Sequence, residues 1–178
     1  MTSVPGDISQ VIATHLRDVQ DFPVPGVVFK DITPLLGAPA AFGAVVAELV
    51  RRHSGVIDKV AGIEARGFIL GAPVAHALGV GFVPVRKAGK LPGEVVSQTY
   101  NLEYGTATIE VHADAVRQGD RVLLVDDLLA TGGTAIAAWD LLEGLGAAVH
   151  ELTVLVELSF LEGRTRLGER PVHALHVI

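Results

Sequence analysis

Cysteine is absent from the 178 residues. That excludes disulfides and thiolate metal centres, and it fits a cytoplasmic setting. A basic excess is lacking too: 14 Lys and Arg against 20 Asp and Glu leave a net charge of −6. Nucleic-acid binders usually carry a basic face, so nucleic acid is not an expected partner. No apolar run reaches the ~18 residues a membrane span needs, and no membrane partner is expected. The opening MTSVPGDISQ has neither a basic n-region nor an apolar h-region, so no secretory signal is expected. Repeats, low-complexity tracts and linkers are missing as well. The length suits a single domain over 1–178 with a proper core.

Familiar catalytic motifs are also lacking. There is no P-loop lysine motif, no His-Glu-x-x-His, no Gly-x-Ser-x-Gly elbow, and no Gly-x-Gly-x-x-Gly after a strand. The histidines do not gather by spacing. His173 and His176, three apart on an expected strand, point to opposite faces. His76 reads as a packed core or interface residue, and Trp139 as packing.

What is present is a globular composition, 49% hydrophobic and 19% charged. Glycine, 20 residues or about 11%, exceeds the usual ~7% and implies loops where backbone closely approaches something. Apolar spacing predicts helices over 6–19, 39–52, 67–79 (despite Pro73) and 134–146. Short apolar runs predict strands at 59–63, 80–85, 121–125 and 149–158. A short helix and a last strand at 171–178 follow. Residues 21–34, with three prolines and a glycine, exclude a long regular element. The alternation implies an α/β fold, a twisted, mostly parallel sheet with helices on both faces. The stretch from Arg86 to His112 breaks the rhythm: a basic, flexible RKAGKLPGE, then hairpin-like alternation, together the size of a functional lid.

The most informative run is Val122–Thr134, VLLVDDLLATGGT. Ligands of open α/β sheets sit beyond strand carboxyl ends, where Asp126 and Asp127 fall. Ala130, Thr131, Gly132, Gly133 and Thr134 then join strand to helix. Glycine amides, a helix N-terminus and two hydroxyls make a phosphate cup. The carboxylates repel phosphate but suit hydroxyl groups, or a metal through water. Hydroxyl acceptors beside a phosphate cup match a ribose 5-phosphate.

LVDDLLATGGT resembles the phosphoribosyl-pyrophosphate (PRPP) signature of type I phosphoribosyltransferases. DFPVPGVVFKDITPLL (21–36), GIEARGFILG (62–71), VPVRKAGKLPGE (83–94) and YNLEYGTATIEVH (100–112) resemble the adenine phosphoribosyltransferase family, in order and at family-like spacing. The resemblance covers nearly the whole chain. It implies transfer of the phosphoribosyl group from PRPP to adenine, with Mg²⁺ held mainly by PRPP and water and no direct protein ligand. It implies a small hood from about residues 1–35, a lid over about 86–112, and a homodimer. Arg66 would serve the pyrophosphate loop, which in the family often has a cis peptide, here at Glu64–Ala65. Arg86, Lys87 and Lys90 would add charge for pyrophosphate, the arginine reaching the neighbouring subunit's site. Val28, Phe29, Lys30, Leu128 and Ala130 would hold adenine: Phe29 by stacking, Val28 and Lys30 through the main chain, Leu128 by closing the other face. Lys30 stands where relatives have arginine. Glu103 would share a proton near N7 of the base, and Tyr104 would cover the site. Orotate enzymes would show more lysines in the lid and lack the FPVPGVVFKDI block. A PRPP-sensing regulator would carry a DNA-binding module, for which about 25 residues before the sheet leave little room.

Overall fold

The computed structural model describes residues 7–101 and 105–178. The chain opens with helix α1 (Ile8–His15), capped by the Asp7 carboxylate, which accepts from the Ser9 amide at 3.1 Å. The helix expected to run to residue 19 stops at His15, because Leu16 is already extended (φ −78°, ψ 141°). Residues Arg17–Gln20 form strand β1, paired antiparallel with β2 (Val28–Asp31). Val19 at helical spacing misleads here: its partner is Phe29 across the ribbon. After β2 come α2 (Thr33–Leu36) and α3 (Pro39–His53).

The main sheet has seven strands. They are β3 (Lys59–Ile63), β4 (Gly81–Lys87), β5 (Val95–Asn101), β6 (Thr106–His112), β7 (Arg121–Leu129), β8 (Ala148–Glu157) and β9 (Val172–Val177), in the order β5-β6-β4-β3-β7-β8-β9. Strands β4, β3, β7, β8 and β9 are parallel, and the β5–β6 hairpin adds an antiparallel edge beside β4. Helix α4 (Arg66–Leu78) links β3 to β4 and includes Pro73. Helix α5 (Gly133–Gly144) links β7 to β8, and α6 (Gly163–Leu167) lies between β8 and β9.

Each face of the sheet has its own core. Leu123, Val125, Val60 and Leu155 pack with residues of α1, α3 and α4, including Ile12, Val45, Leu49 and Leu70. Leu124, Val122, Leu152 and Val154 pack with Ala138, Trp139 and Leu142 of α5. Burial of such side chains, worth roughly 1.5–3 kcal/mol each, drives the layering. Trp139 is therefore packing, as expected, whereas His76 is exposed, because its position on α4 faces away from the sheet. Among the described residues, no helix is long and apolar enough to cross a membrane.

The order has one consequence for function. From β3 the chain moves outward to β4, and the next parallel strand, β7, lies on the other side of β3. The helices that follow β3 and β7 cover opposite faces. A crevice therefore opens between the carboxyl ends of β3 and β7, as in any doubly wound sheet.

Candidate active site

Strand β7 runs four residues past the expected end at 125, pairing with β8 as far as Leu129↔Glu157. Its pairing with β3 ends at Gly62↔Val125. Asp126 and Asp127 thus sit in regular strand whose β3 side is open. Alternation sends them to opposite faces. Asp126 shares the face of Leu124 and lines a cavity of about 90 Å³ with Leu128–Ala135. Asp127 shares the face of Val125, where its carboxylate meets Arg66 at 3.4 Å. The Asp127 amide donates to Asp126 Oδ1 at 2.9 Å. Burial raises the Asp126 carboxyl well above the usual carboxylate range, and the Asp127 charge adds to it. Asp127 is raised by burial too, with the Arg66 guanidinium pulling the other way.

The loop Ala130–Gly132 and the first turn of α5 form the small cavity, whose volume equals roughly three waters and suits one phosphoryl group. Gly132 is the N-cap at φ 82°, and no side chain caps the helix, so the first-turn amides have no side-chain partner. Two further contacts steady the loop. Arg166 Nη1 donates to the Thr131 carbonyl at 3.0 Å. Gly163 packs so closely on Ala130 and Gly132 that a Cβ would collide with the Ala130 carbonyl. The Thr134 hydroxyl lies 3.0 Å from the Tyr100 hydroxyl, which brings the hairpin to the rim.

Arg66 starts α4 after a cis Glu64–Ala65 peptide bond. It joins two parts of the site, pairing with Asp127 and lying 5.1 Å over the Phe29 ring. The helix gets this close because Gly62 and Gly67 leave room: a Cβ on Gly67 would lie 2.5 Å from the Val125 carbonyl, and one on Gly62 would lie 2.7 Å from the Gly67 carbonyl. Arg86 pairs with Glu64 of its own chain at 3.3 Å and donates to the Lys90 carbonyl at 3.0 Å. The Lys87 amide donates to Glu64 at 2.9 Å. That amide, with Arg86, holds the Glu64 carboxyl below its ordinary range. The Lys87 and Lys90 side chains are exposed.

A second cavity, about 870 Å³, lies between the β1–β2 ribbon and the segment after β8. Val28 and Lys30 line it from β2, Asp18 and Gln20 from β1, and Leu158, Phe160 and Leu161 from the far side. Ala130 and Thr131 line both cavities, so the two meet there. The structure thus divides the expected base-binding set. Val28, Lys30 and Ala130 face the large cavity, Leu128 lines the cup, and Phe29, on the other face of the ribbon, packs against Arg66 and edge-on to Phe22. Glu103 and Tyr104 lie outside the described residues. Sequence reasoning missed Asp18, Gln20, Phe160, Gly163 and Tyr100. Only Gly163 carried a signal, a lone glycine opening a short helical pattern.

A crevice at the switch point, with a small cavity and two acids beside it, is the arrangement expected of a phosphoribosyltransferase. A family model for the phosphoribosyl transferase domain matches residues 36–170. Two proteins named adenine phosphoribosyltransferase are close relatives. That of Acidothermus cellulolyticus is 60% identical over 96% of this chain and 97% of its own length. That of Frankia alni is 63% identical over 96% and 90%. A crystal structure of the enzyme from Thermoanaerobacter pseudethanolicus superposes with a TM-score of 0.91 at 49% identity, covering 95% of this chain and 99% of that one. The Trypanosoma brucei enzyme, in complex with AMP, pyrophosphate and ribose-5-phosphate, has a TM-score of 0.88 at 26% identity, covering 99% and 82%. The chain belongs to the adenine phosphoribosyltransferase family.

Proposed function

We propose that this protein transfers the 5-phosphoribosyl group of PRPP to adenine, giving AMP and pyrophosphate in purine salvage. The observation that carries the reading is Arg66, which pairs with Asp127 beside the small cavity and lies over the Phe29 ring, so that cup, acids and ribbon meet around one cation. A cup for the 5-phosphate would lie beside a slot for the base between Phe29 and Leu128, with the ribose between them.

In this reading the Ala130–Thr134 amides and hydroxyls hold the 5-phosphate. Asp126 and Asp127 accept hydrogen bonds from the ribose hydroxyls. The C1–O bond to pyrophosphate breaks as C1–N9 forms, through an oxocarbenium-like centre that needs water excluded and the departing charge held. Arg66 meets that charge, with Arg86, Lys87 and Lys90 supplying more once the 86–112 lid closes. The main chain of β2, an edge strand, reads the base at Val28 and Lys30. Phe29 and Leu128 bound the base, Glu103 shares the N7 proton as N9 attacks, and Tyr104 covers the closed site.

Two adjacent carboxylates at the open carboxyl end of β7 fit Mg²⁺. That ion keeps its waters and binds through one or two carboxylates plus substrate phosphates. Asp126 and Asp127 would meet its water shell, and the chemistry it supplies is neutralisation of the diphosphate charge. We further assign the β1–β2 ribbon to the hood of a single domain, and the protein to a cytoplasmic homodimer.

The test is direct. Purified protein with PRPP, Mg²⁺ and adenine should give AMP, and with hypoxanthine, guanine or orotate little mononucleotide. IMP, GMP or OMP in its place would reassign the base, and binding without turnover would make the protein a sensor.

A further inference from the structure

The loop that forms the small cavity leans on a helix too short to stand alone. Helix α6 has five residues, well under the ~12–15 that an isolated helix needs in water. It nonetheless touches the loop through Gly163, packed on Ala130 and Gly132, and through the Arg166 bond to the Thr131 carbonyl. Its posture must therefore come from the sheet. Leu167 supplies part of it, buried in the core shared with α5. Arg164 supplies the polar part. Its Nε donates to the Glu157 oxygens at 3.0 and 3.2 Å, its Nη2 donates to the same carboxylate, and its Nη1 donates to the Val172 carbonyl of β9 at 2.8 Å.

The Glu157 side chain is only 7% exposed, against 46% for Arg164. A carboxylate placed so deep is unfavourable unless paired and hydrogen-bonded. Its place in the sheet gives the pairing a role. Glu157 lies opposite Leu129, the last residue of β7 before the loop. The guanidinium thus fastens α6 to the strand pair from which the loop springs. The chain bends sharply to allow this, with Glu162 at φ 55°, a left-handed conformation disfavoured for a residue with a Cβ.

We propose that Arg164 is a positioning residue for the sugar phosphate: by clamping α6 to Glu157 and β9, it holds the Ala130–Gly132 loop in the posture in which its amides meet a phosphoryl group. The proposal rests on the transferase reading above. Main-chain donors grip an anion well only when they are already aimed at it. Without the clamp the loop loses that aim, and affinity for the 5-phosphate falls about tenfold, the worth of one charge-assisted hydrogen bond. The pyrophosphate end, assigned to Arg66 on α4, is off the loop and keeps its affinity.

The experiment measures AMP formation with PRPP varied at saturating adenine and Mg²⁺, and inhibition constants against PRPP for ribose 5-phosphate and for pyrophosphate. The proteins are wild type, Arg164→Met, Arg164→Met with Glu157→Gln, and Arg164→Lys. The single Met variant strands a buried carboxylate, and the double variant removes both charges and so guards against unfolding. In both, the KM for PRPP and the ribose 5-phosphate constant should rise about tenfold, while kcat and the pyrophosphate constant stay within about twofold. Arg164→Lys keeps the charge but not the fork, and should show the same split. A ribose 5-phosphate constant that does not move, or two constants that rise in step, would mean that the clamp only supports the fold and would overturn the proposal. If neither Met variant folds, Arg164→Lys decides alone by the same split. Wild-type protein that makes no AMP overturns the transferase reading and this one with it. AMP from the wild type with no split in the variants overturns this one alone.

Discussion

Asp31 offers the sharpest test of how the β1–β2 ribbon is anchored. Its carboxylate accepts from the Thr33 amide at 2.9 Å, from Arg17 at 2.5 and 3.1 Å, and from the Thr33 hydroxyl at 2.8 Å. These bonds, the Thr33 amide foremost, lower its pKa from 3.8 to about 2. At 1.36 kcal/mol per unit, that difference caps the linked stability near 2 kcal/mol, and solvent around the largely exposed Arg17 trims it to roughly 1–2 kcal/mol. The folded pKa lies below the unfolded one. The contribution is therefore complete above about pH 4 and is lost as the pH falls toward 2. Urea unfolding of Asp31→Asn should show a loss of roughly 1–2 kcal/mol at pH 7, with the gap to wild type closing between pH 4 and pH 2. The variant should also raise the KM for adenine, since the proposed base contacts at Val28, Phe29 and Lys30 sit on β2. Equal urea midpoints at pH 7, or a gap indifferent to acid, would refute the reasoning.

Three further outcomes are expected. Gly163→Ala places a methyl against the Ala130 carbonyl, where no rotamer relieves it; a melt should show about 1–3 kcal/mol of destabilisation, with a raised KM for PRPP. Asp126→Asn should weaken PRPP binding about tenfold or more by calorimetry, and unchanged affinity would argue against its ribose role. Glu103→Gln should lower kcat by roughly 10²–10⁴ with little change in PRPP affinity. Equal loss of both would undercut the acid–base assignment.

The sheet was largely legible because buried parallel strands write themselves as apolar runs: KVAGI and RVLLV leave little else to be. The loop after β7 was legible as a strand-to-helix junction, because a glycine-paired, hydroxyl-rich turn suits neither element. Strand β1 was not. It has four residues, mostly exposed, and its structural reason is a partner strand further along the chain, with Gln20 facing Val28 and Asp18 facing Lys30. The far wall of the large cavity hid for the same reason. Leu158 and Phe160 come from beyond β8 and meet Val28 through folding alone. Phe160, 68% exposed, looks like surface until that chamber is seen. The true length of β7 escaped because two aspartates look like an end, while β8 goes on pairing past them.

The hydroxyl contact between Tyr100 and Thr134 sets the direction of a proton chain. A phosphate offers oxygen lone pairs, and Thr134 has a single hydrogen to give. On the proposed reading, a phosphate in the cup would take that hydrogen, and the threonine oxygen would then receive from its phenolic neighbour 3.0 Å away. Filling the cup would thereby fix the orientation of one O–H bond on β5 and carry the presence of a sugar phosphate to the hairpin.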